Sequence, residues 1–145
     1  MFELRVALRR DSGLLPCPAW VGWAPLCPAL AAEDGLQVWV RPGTSAADVE
    51  ALRDCALYEE RWSALRRVIR GRGAEEARLE GARGPLTVTR RRPRFGGRRR
   101  SRAEREMRAL AEREALAPGA APRAIGWIEE RRRGRLVREY AISAS

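Results

Sequence analysis

Apolar and polar residues alternate, or nearly alternate, along six short stretches of the chain, which is the pattern of half-buried β-strands. These stretches are residues 2–8, 36–40, 78–80, 86–92, 125–128 and 136–142. A turn at residues 81–85 predicts that the third and fourth stretches form a hairpin, and a turn around residues 131–134 predicts the same for the last two. We therefore expect a mostly antiparallel sheet.

A longer segment carries apolar residues at helical spacing. It predicts a helix from about residue 45 to residue 70, because apolar side chains recur there every three or four positions. Ser45 and Asp48 match an N-cap, and Gly71 supplies a stop signal. The positions that define the predicted buried face are Val49, Leu52, Ala56, Trp62, Leu65 and Ile69.

A second helix is predicted over residues 102–116. Ser101 and Glu104 match a capping box at its start. Its apolar stripe is thin, and Glu104 and Arg108 have the favourable order for an exposed ion pair, so we expect most of this helix to be solvated. Together the elements predict an α+β fold in a small single domain, 1–145, with mostly antiparallel strands and hairpins and two main helices.

The composition removes several classes of chemistry. All 29 basic residues are Arg; the chain has no Lys, no His and no Asn. Without Lys and His there is no Walker lysine, no Schiff base, no Ser-His-Asp triad and no His-ligated metal. A GC-rich genome would also favour Arg over Lys, so the composition alone does not identify a site.

The distribution of charge is more informative than its total. Residues 1–60 contain 5 Arg and 9 acidic residues, whereas residues 61–145 contain 24 Arg and 10 acidic residues. The chain therefore has an acidic, apolar half and an Arg-rich half. Such a concentrated surplus of positive charge attracts polyanions, of which nucleic acid is the commonest.

Residues 12–32 carry no charge, but several prolines interrupt them, which argues against a signal peptide or a membrane span. The stretch is either a buried irregular segment or a patch for a partner protein, with Trp20 and Trp23 as the large side chains. Three cysteines form no CxxC pattern, which predicts reduced thiols without a metal or cofactor in a reducing compartment. They are Cys17, Cys27 and Cys55.

A basic loop at residues 90–102 is the strongest local signal, with 8 Arg and no acidic residue. The Arg guanidinium donates two parallel hydrogen bonds to a phosphate, and an aromatic ring within the loop offers a stacking surface. The loop also abuts the predicted start of a helix at Ser101, an end that attracts anions. The predicted binding residues are Arg90, Arg91, Arg92, Arg94, Phe95, Arg98, Arg99, Arg100 and Arg102.

A second basic cluster lies at the predicted tip of the last hairpin. It consists of Arg131, Arg132, Arg133 and Arg135. A two-stranded ribbon with a basic tip is able to enter a groove of a nucleic acid. The second cluster therefore strengthens the prediction made from the first.

A catalytic interpretation rests on Arg138 and Tyr140, since small ribonuclease toxins use Arg and Tyr near the C-terminus. Tyr140 lies in an alternating apolar strand, however, and is more simply a core residue. We assign no catalytic residue.

The sequence thus predicts a non-enzymatic protein that binds DNA or RNA mainly through the phosphate backbone, with a protein partner or assembly and no membrane. We expect it in the cytoplasm, a virion or a nucleoprotein particle. The main alternative is a structural subunit of a phage particle or ribonucleoprotein whose Arg segment is ordered by protein neighbours. A small Arg/Tyr ribonuclease and an acyltransferase are minor alternatives.

Overall fold

The computed structural model describes five parts of the chain, which are residues 24–25, 35–69, 73–93, 101–119 and 122–144. Within them the chain forms seven strands and three helices. In chain order these are β1 (Ala24–Pro25), β2 (Leu36–Val40), α1 (Ala46–Leu57), α2 (Glu59–Ser63), β3 (Arg66–Ile69), β4 (Ala74–Gly81), β5 (Gly84–Arg91), α3 (Arg102–Leu116), β6 (Arg123–Arg132) and β7 (Arg135–Ala144). The strand predicted at residues 2–8 lies outside the described residues, as do Trp20, Trp23, Cys17 and Cys27.

The described strands form one antiparallel sheet in the order β1-β2-β6-β7-β5-β4-β3. Helices α1 and α2 cover one face, where their buried side chains join those of β2 and the central strands in one apolar cluster. Helix α3 covers the other face and packs against β6 and β7. This arrangement confirms the predicted α+β class with mostly antiparallel pairing.

The first helix begins as predicted but ends earlier. The Ser45 hydroxyl accepts a hydrogen bond from the Asp48 N–H at 3.1 Å, as the capping signature requires. The helix stops where Tyr58 adopts an extended backbone, and after α2 the chain pairs with β4 as strand β3. The prediction of one helix over residues 45–70 is therefore wrong. Residues 66–69 form a ladder with a distant strand, which the local spacing of apolar residues does not reveal.

Helix α3 confirms the predicted capping, but more of it is buried than expected. The Ser101 hydroxyl accepts a hydrogen bond from the Glu104 N–H at 3.0 Å. Glu104 and Arg108 form an ion pair at 3.1 Å that is buried, although the sequence pattern indicated a solvated face. The small side chains of Ala103 and Ala111 are fully packed against the sheet, and this close approach buries the neighbouring ion pair as well.

Both predicted hairpins are confirmed. Strands β4 and β5 join through a two-residue turn, with Gly81 opposite Gly84, so this turn is shorter than the predicted one at residues 81–85. Leu86 and Val88 are buried on one face of β5, as their alternation predicts. Strands β6 and β7 also join through a two-residue turn.

An ion pair fastens the C-terminal part of α3 to the sheet. The Arg41 guanidinium makes a bidentate contact with the Glu114 carboxylate, and the Ala124 N–H donates to the same carboxylate at 3.1 Å. Burial acts to raise the pKa of Glu114, but the hydrogen bonds from Arg41 and Ala124 outweigh it and hold the pKa below its usual range. The charged form of Glu114 therefore stabilises the folded chain.

Replacing this carboxylate should make a pH-dependent difference to stability. Because the folded pKa of Glu114 lies below its ordinary value of 4.5, its contribution is present above that value and is lost as the pH falls through the folded pKa. We expect Glu114→Gln to lower the free energy of unfolding by about 1–2 kcal/mol near neutral pH, and the difference to shrink towards zero in acid. Urea unfolding at neutral pH and at about pH 3 measures it. Glu112→Gln, an exposed change on the same helix, is the control, and a loss that persists in acid would contradict the assignment.

Candidate nucleic-acid interface

The sheet topology brings the two predicted arginine clusters to the same end of the sheet. Arg91 at the end of β5 lies opposite Glu139 of β7, and Arg132 lies opposite Arg135 where β6 and β7 meet. Because β5 runs antiparallel to β7, it ends on the side where the β6–β7 hairpin turns. The described residues of the two clusters, which are separate in sequence, therefore lie at one end of the sheet.

The connection from β5 to α3 begins and ends at this same end of the sheet. Pro93 follows β5, and the Ser101 hydroxyl at the start of α3 donates to the Glu129 carboxylate of β6 at 2.7 Å. Five predicted binding residues fall between these points and lie outside the described residues: Arg94, Phe95, Arg98, Arg99 and Arg100. We call the described residues here, 90–93, 101–102 and 131–135, the basic end of the sheet.

Arg90 does not belong to the exposed part of the basic end. Its side chain is 6% exposed and donates to Glu59 at 2.7 Å and to Glu75 at 3.0 Å. The guanidinium also lies over the ring of Trp62, 4.6 Å from its centroid. The expectation that Arg90 faces a phosphate is therefore corrected: its charge is buried between α2 and the sheet and is already neutralised.

Three further predicted residues are partly neutralised by carboxylates. Glu106 of α3 accepts from Arg91 at 2.9 Å and from Arg102 at 3.0 Å. Arg131 pairs with Glu129 at 3.2 Å. These arginines position the hairpin and the start of α3, and Arg102 keeps most of its side chain in solvent.

Four predicted binding residues are exposed or largely exposed at the basic end and have no ion pair with any residue that the structure describes. They are Arg92, Arg132, Arg133 and Arg135. These four, which we call the exposed arginines, are available to an external anion. They come from both predicted clusters.

The start of α3 is not open to an anion, which corrects the expectation made for Ser101. The carboxylate of Glu139 accepts hydrogen bonds from the Ala103 N–H at 3.0 Å and from the Arg102 N–H at 3.3 Å. Burial raises the pKa of Glu139, while these two hydrogen bonds act to lower it. The chain thus supplies its own anion to this helix end.

Glu59 organises a group of arginines that sequence reasoning did not connect. It accepts from Arg90, and it also accepts from Arg138 at 3.3 Å. The hydrogen bond from Arg90 lowers the pKa of Glu59, and the charges of Arg138 and Arg92 lower it further. The predicted continuous helix over residues 45–70 gave no reason to connect Glu59 with these arginines. In the structure α1 ends just before Glu59, at Leu57.

Tyr140 is a core residue, as its place in an alternating strand predicts. It is 1% exposed, and its ring meets that of Trp62 edge to face with the centroids 5.9 Å apart. Burial raises the pKa of Tyr140, although the guanidinium groups of Arg138 and Arg90 act to lower it. A buried phenol with a raised pKa is poorly suited to act as a base on RNA.

The tip of the β6–β7 hairpin places arginines in unfavourable positions. Arg133 has a φ of 53° and Gly134 a φ of 78°, the positive values of a type I′ turn. This region is unfavourable for a long side chain, and Asn is the residue other than Gly that adopts it most readily. In addition, the like charges of Arg132 and Arg135 lie directly opposite each other.

Replacing Arg133 with Asn should therefore stabilise the protein. We expect Arg133→Asn to raise the free energy of unfolding by about 0.5–1 kcal/mol, because the turn then has the preferred Asn-Gly pair. Arg135→Asn removes the same charge outside the turn and serves as the control. Urea unfolding of both variants gives the comparison, and equal gains would attribute the effect to charge repulsion rather than to backbone conformation.

Comparisons with protein-family models, with curated proteins and with solved structures found no match to this chain. Among the described residues, no helix is both long and apolar enough to cross a membrane. The same part of the chain contains no group of three side chains suited to hold a metal ion. Cys55 is buried there, and burial raises the pKa of its thiol.

Proposed function

We propose that this protein binds nucleic acid at the basic end, mainly through the phosphate backbone and without strong sequence preference. The observation that carries the proposal is that described residues of both arginine clusters lie at the basic end, where the exposed arginines have no carboxylate partner among the described residues. Guanidinium groups in such an arrangement are suited to phosphate oxygens, which accept their paired hydrogen bonds. The proposed role is binding rather than catalysis.

The local cost of the hairpin tip supports the same proposal. A strained Arg133 and facing charges at Arg132 and Arg135 lower the stability of the free protein. Phosphates placed between these side chains would remove the repulsion, so the cost would be offset in the complex. An isolated soluble turn would be better served by Asn or Asp.

The test is the salt dependence of binding by the wild-type protein. Each guanidinium that neutralises a phosphate releases condensed counterions, so four contacts give a slope of log affinity against log salt of about −3 on single strands and about −3.6 on duplex DNA. We expect slopes at least this steep, and similar affinities for unrelated sequences, by fluorescence anisotropy. Binding that does not depend on salt, or no binding, would overturn the proposal.

The alternative of a structural subunit is separated by the same preparation. A phage or ribonucleoprotein subunit should run in size-exclusion chromatography as a defined protein assembly after a high-salt wash has removed nucleic acid. A monomer that regains nucleic acid on return to low salt supports our proposal. The proposed location of the protein is the cytoplasm or a nucleoprotein particle.

A further inference from the structure

Tyr58 is the one aromatic residue in the described part of the chain that is exposed. The residue as a whole is 49% exposed. The other four aromatic residues in the described part of the chain are buried or half-buried in the two faces of the sheet. They are Trp39, Trp62, Trp127 and Tyr140.

The backbone of Tyr58 makes the hydrogen bonds that end α1 and begin α2. Its N–H donates to the Asp54 carbonyl at 2.9 Å, which ends α1. Its carbonyl accepts from Arg61 at 3.0 Å and from Trp62 at 3.2 Å, which begins α2. The side chain makes no capping hydrogen bond, so the backbone hydrogen bonds that join the two helices do not involve the phenol.

The position of Tyr58 places it beside the basic end. The next residue, Glu59, accepts a hydrogen bond at 2.7 Å from Arg90, which is part of the basic end, and one at 3.3 Å from Arg138. Helix α1 starts at the opposite end of the sheet, where Asp48 binds the Ala82 N–H in the β4–β5 turn at 3.0 Å. Helix α1 therefore ends, with Tyr58, on the side of the sheet where the basic end and the exposed arginines lie.

We infer that Tyr58 is a stacking surface for a base of single-stranded nucleic acid whose phosphates lie on the exposed arginines. This inference rests on the proposed function and names its ligand class. An aromatic ring beside a basic surface stacks on any base, because every base has a π-face. A duplex keeps its bases stacked on one another, so it would use the arginines without using the ring.

The experiment compares strands that differ only in their bases. The probes are a dT strand and a U strand of about 12 nucleotides, an abasic strand with the same number of phosphates, and a duplex of the same length. Tyr58→Leu removes the aromatic face and keeps the apolar bulk, whereas Tyr58→Phe keeps the face. Leu116→Ala is the matched control, because Leu116 is the other exposed large apolar residue in the described part and lies at the far end of α3.

We expect Tyr58→Leu to weaken binding of the dT and U strands by about 5- to 100-fold and to leave the abasic strand and the duplex unchanged. Tyr58→Phe and Leu116→Ala should bind all four probes as the wild type does, and none of the variants should change the salt slope. Wild-type binding to every probe with no effect of Tyr58→Leu would overturn this inference and leave the proposed function standing. Absence of wild-type binding to all four probes would overturn the proposed function itself.

Discussion

Replacing Trp62 with alanine is expected to lower the free energy of unfolding by about 3–5 kcal/mol. The side chain is 0% exposed and lies between α2 and the sheet. Its ring contacts Tyr140 edge to face and carries the Arg90 guanidinium over its face, and its N–H donates to Glu75 at 2.8 Å. The truncation leaves a cavity and also uncovers a buried charge, so two costs combine.

A milder variant separates these costs. Trp62→Phe keeps an aromatic ring against Tyr140 and Arg90 but removes the hydrogen bond to Glu75. We expect a loss well below that of alanine, on the order of 1–2 kcal/mol. Urea unfolding of both variants measures the difference. An alanine variant of near wild-type stability would mean that Trp62 is not part of the core.

Trp62 also illustrates how far the sequence predicted the fold. Its burial is confirmed, and Leu65 packs against the same apolar cluster, although not as part of one continuous helix. Ile69 belongs to strand β3, and the ring of Trp62 contacts Tyr140 and Arg90 on the sheet, which the helical spacing did not indicate. Helical spacing reports which residues share a face when the segment is a helix. It carries no information on whether a later strand will compete for the same residues.

Features that depend on neighbours in sequence were predicted well. The Ser45 and Ser101 caps join residues three positions apart, and the strands of each hairpin are joined by a two-residue turn. The local pattern was sufficient in these cases because both partners lie within one window of the sequence.

The clusters of arginine were visible in the sequence, but their accessibility was not. Arg90 is neutralised by Glu59, 31 residues away, and the start of α3 is filled by Glu139, 36 residues from Ala103. Both carboxylates reach the basic end through the pairing of distant strands or the packing of a helix. A count of charges along the chain therefore overestimates the number of arginines that a ligand can contact.

Removing the exposed arginines is the prediction on which the proposed function depends most. Changing Arg92, Arg132, Arg133 and Arg135 together to Gln should flatten the slope of log affinity against log salt by about 3 units, and should weaken binding about equally on unrelated sequences. Gln preserves polar bulk and removes the charge. The structure also predicts that folding will survive, because none of the four has an ion pair with a described residue.

The matched control removes four exposed arginines from elsewhere on the surface, namely Arg78, Arg83, Arg113 and Arg123. Both variants lower the formal net charge of +10 by the same amount, so a general effect of charge would change both slopes equally. If only the basic end contacts phosphates, the control keeps a slope close to that of the wild type, since screening weakens charges beyond about 10 Å.

A third variant extends the comparison to the segment between β5 and α3. Changing Arg98, Arg99, Arg100 and Arg102 to Gln removes four charges from the predicted loop, and a further loss of about 3 units would assign that loop to the same interface. An unchanged slope there, with a flattened slope for the exposed arginines, would restrict the interface to Arg92 and the hairpin tip. Unchanged slopes in both variants would mean that phosphates do not bind at this edge, whereas weakening on one sequence alone would mean that these arginines read base edges.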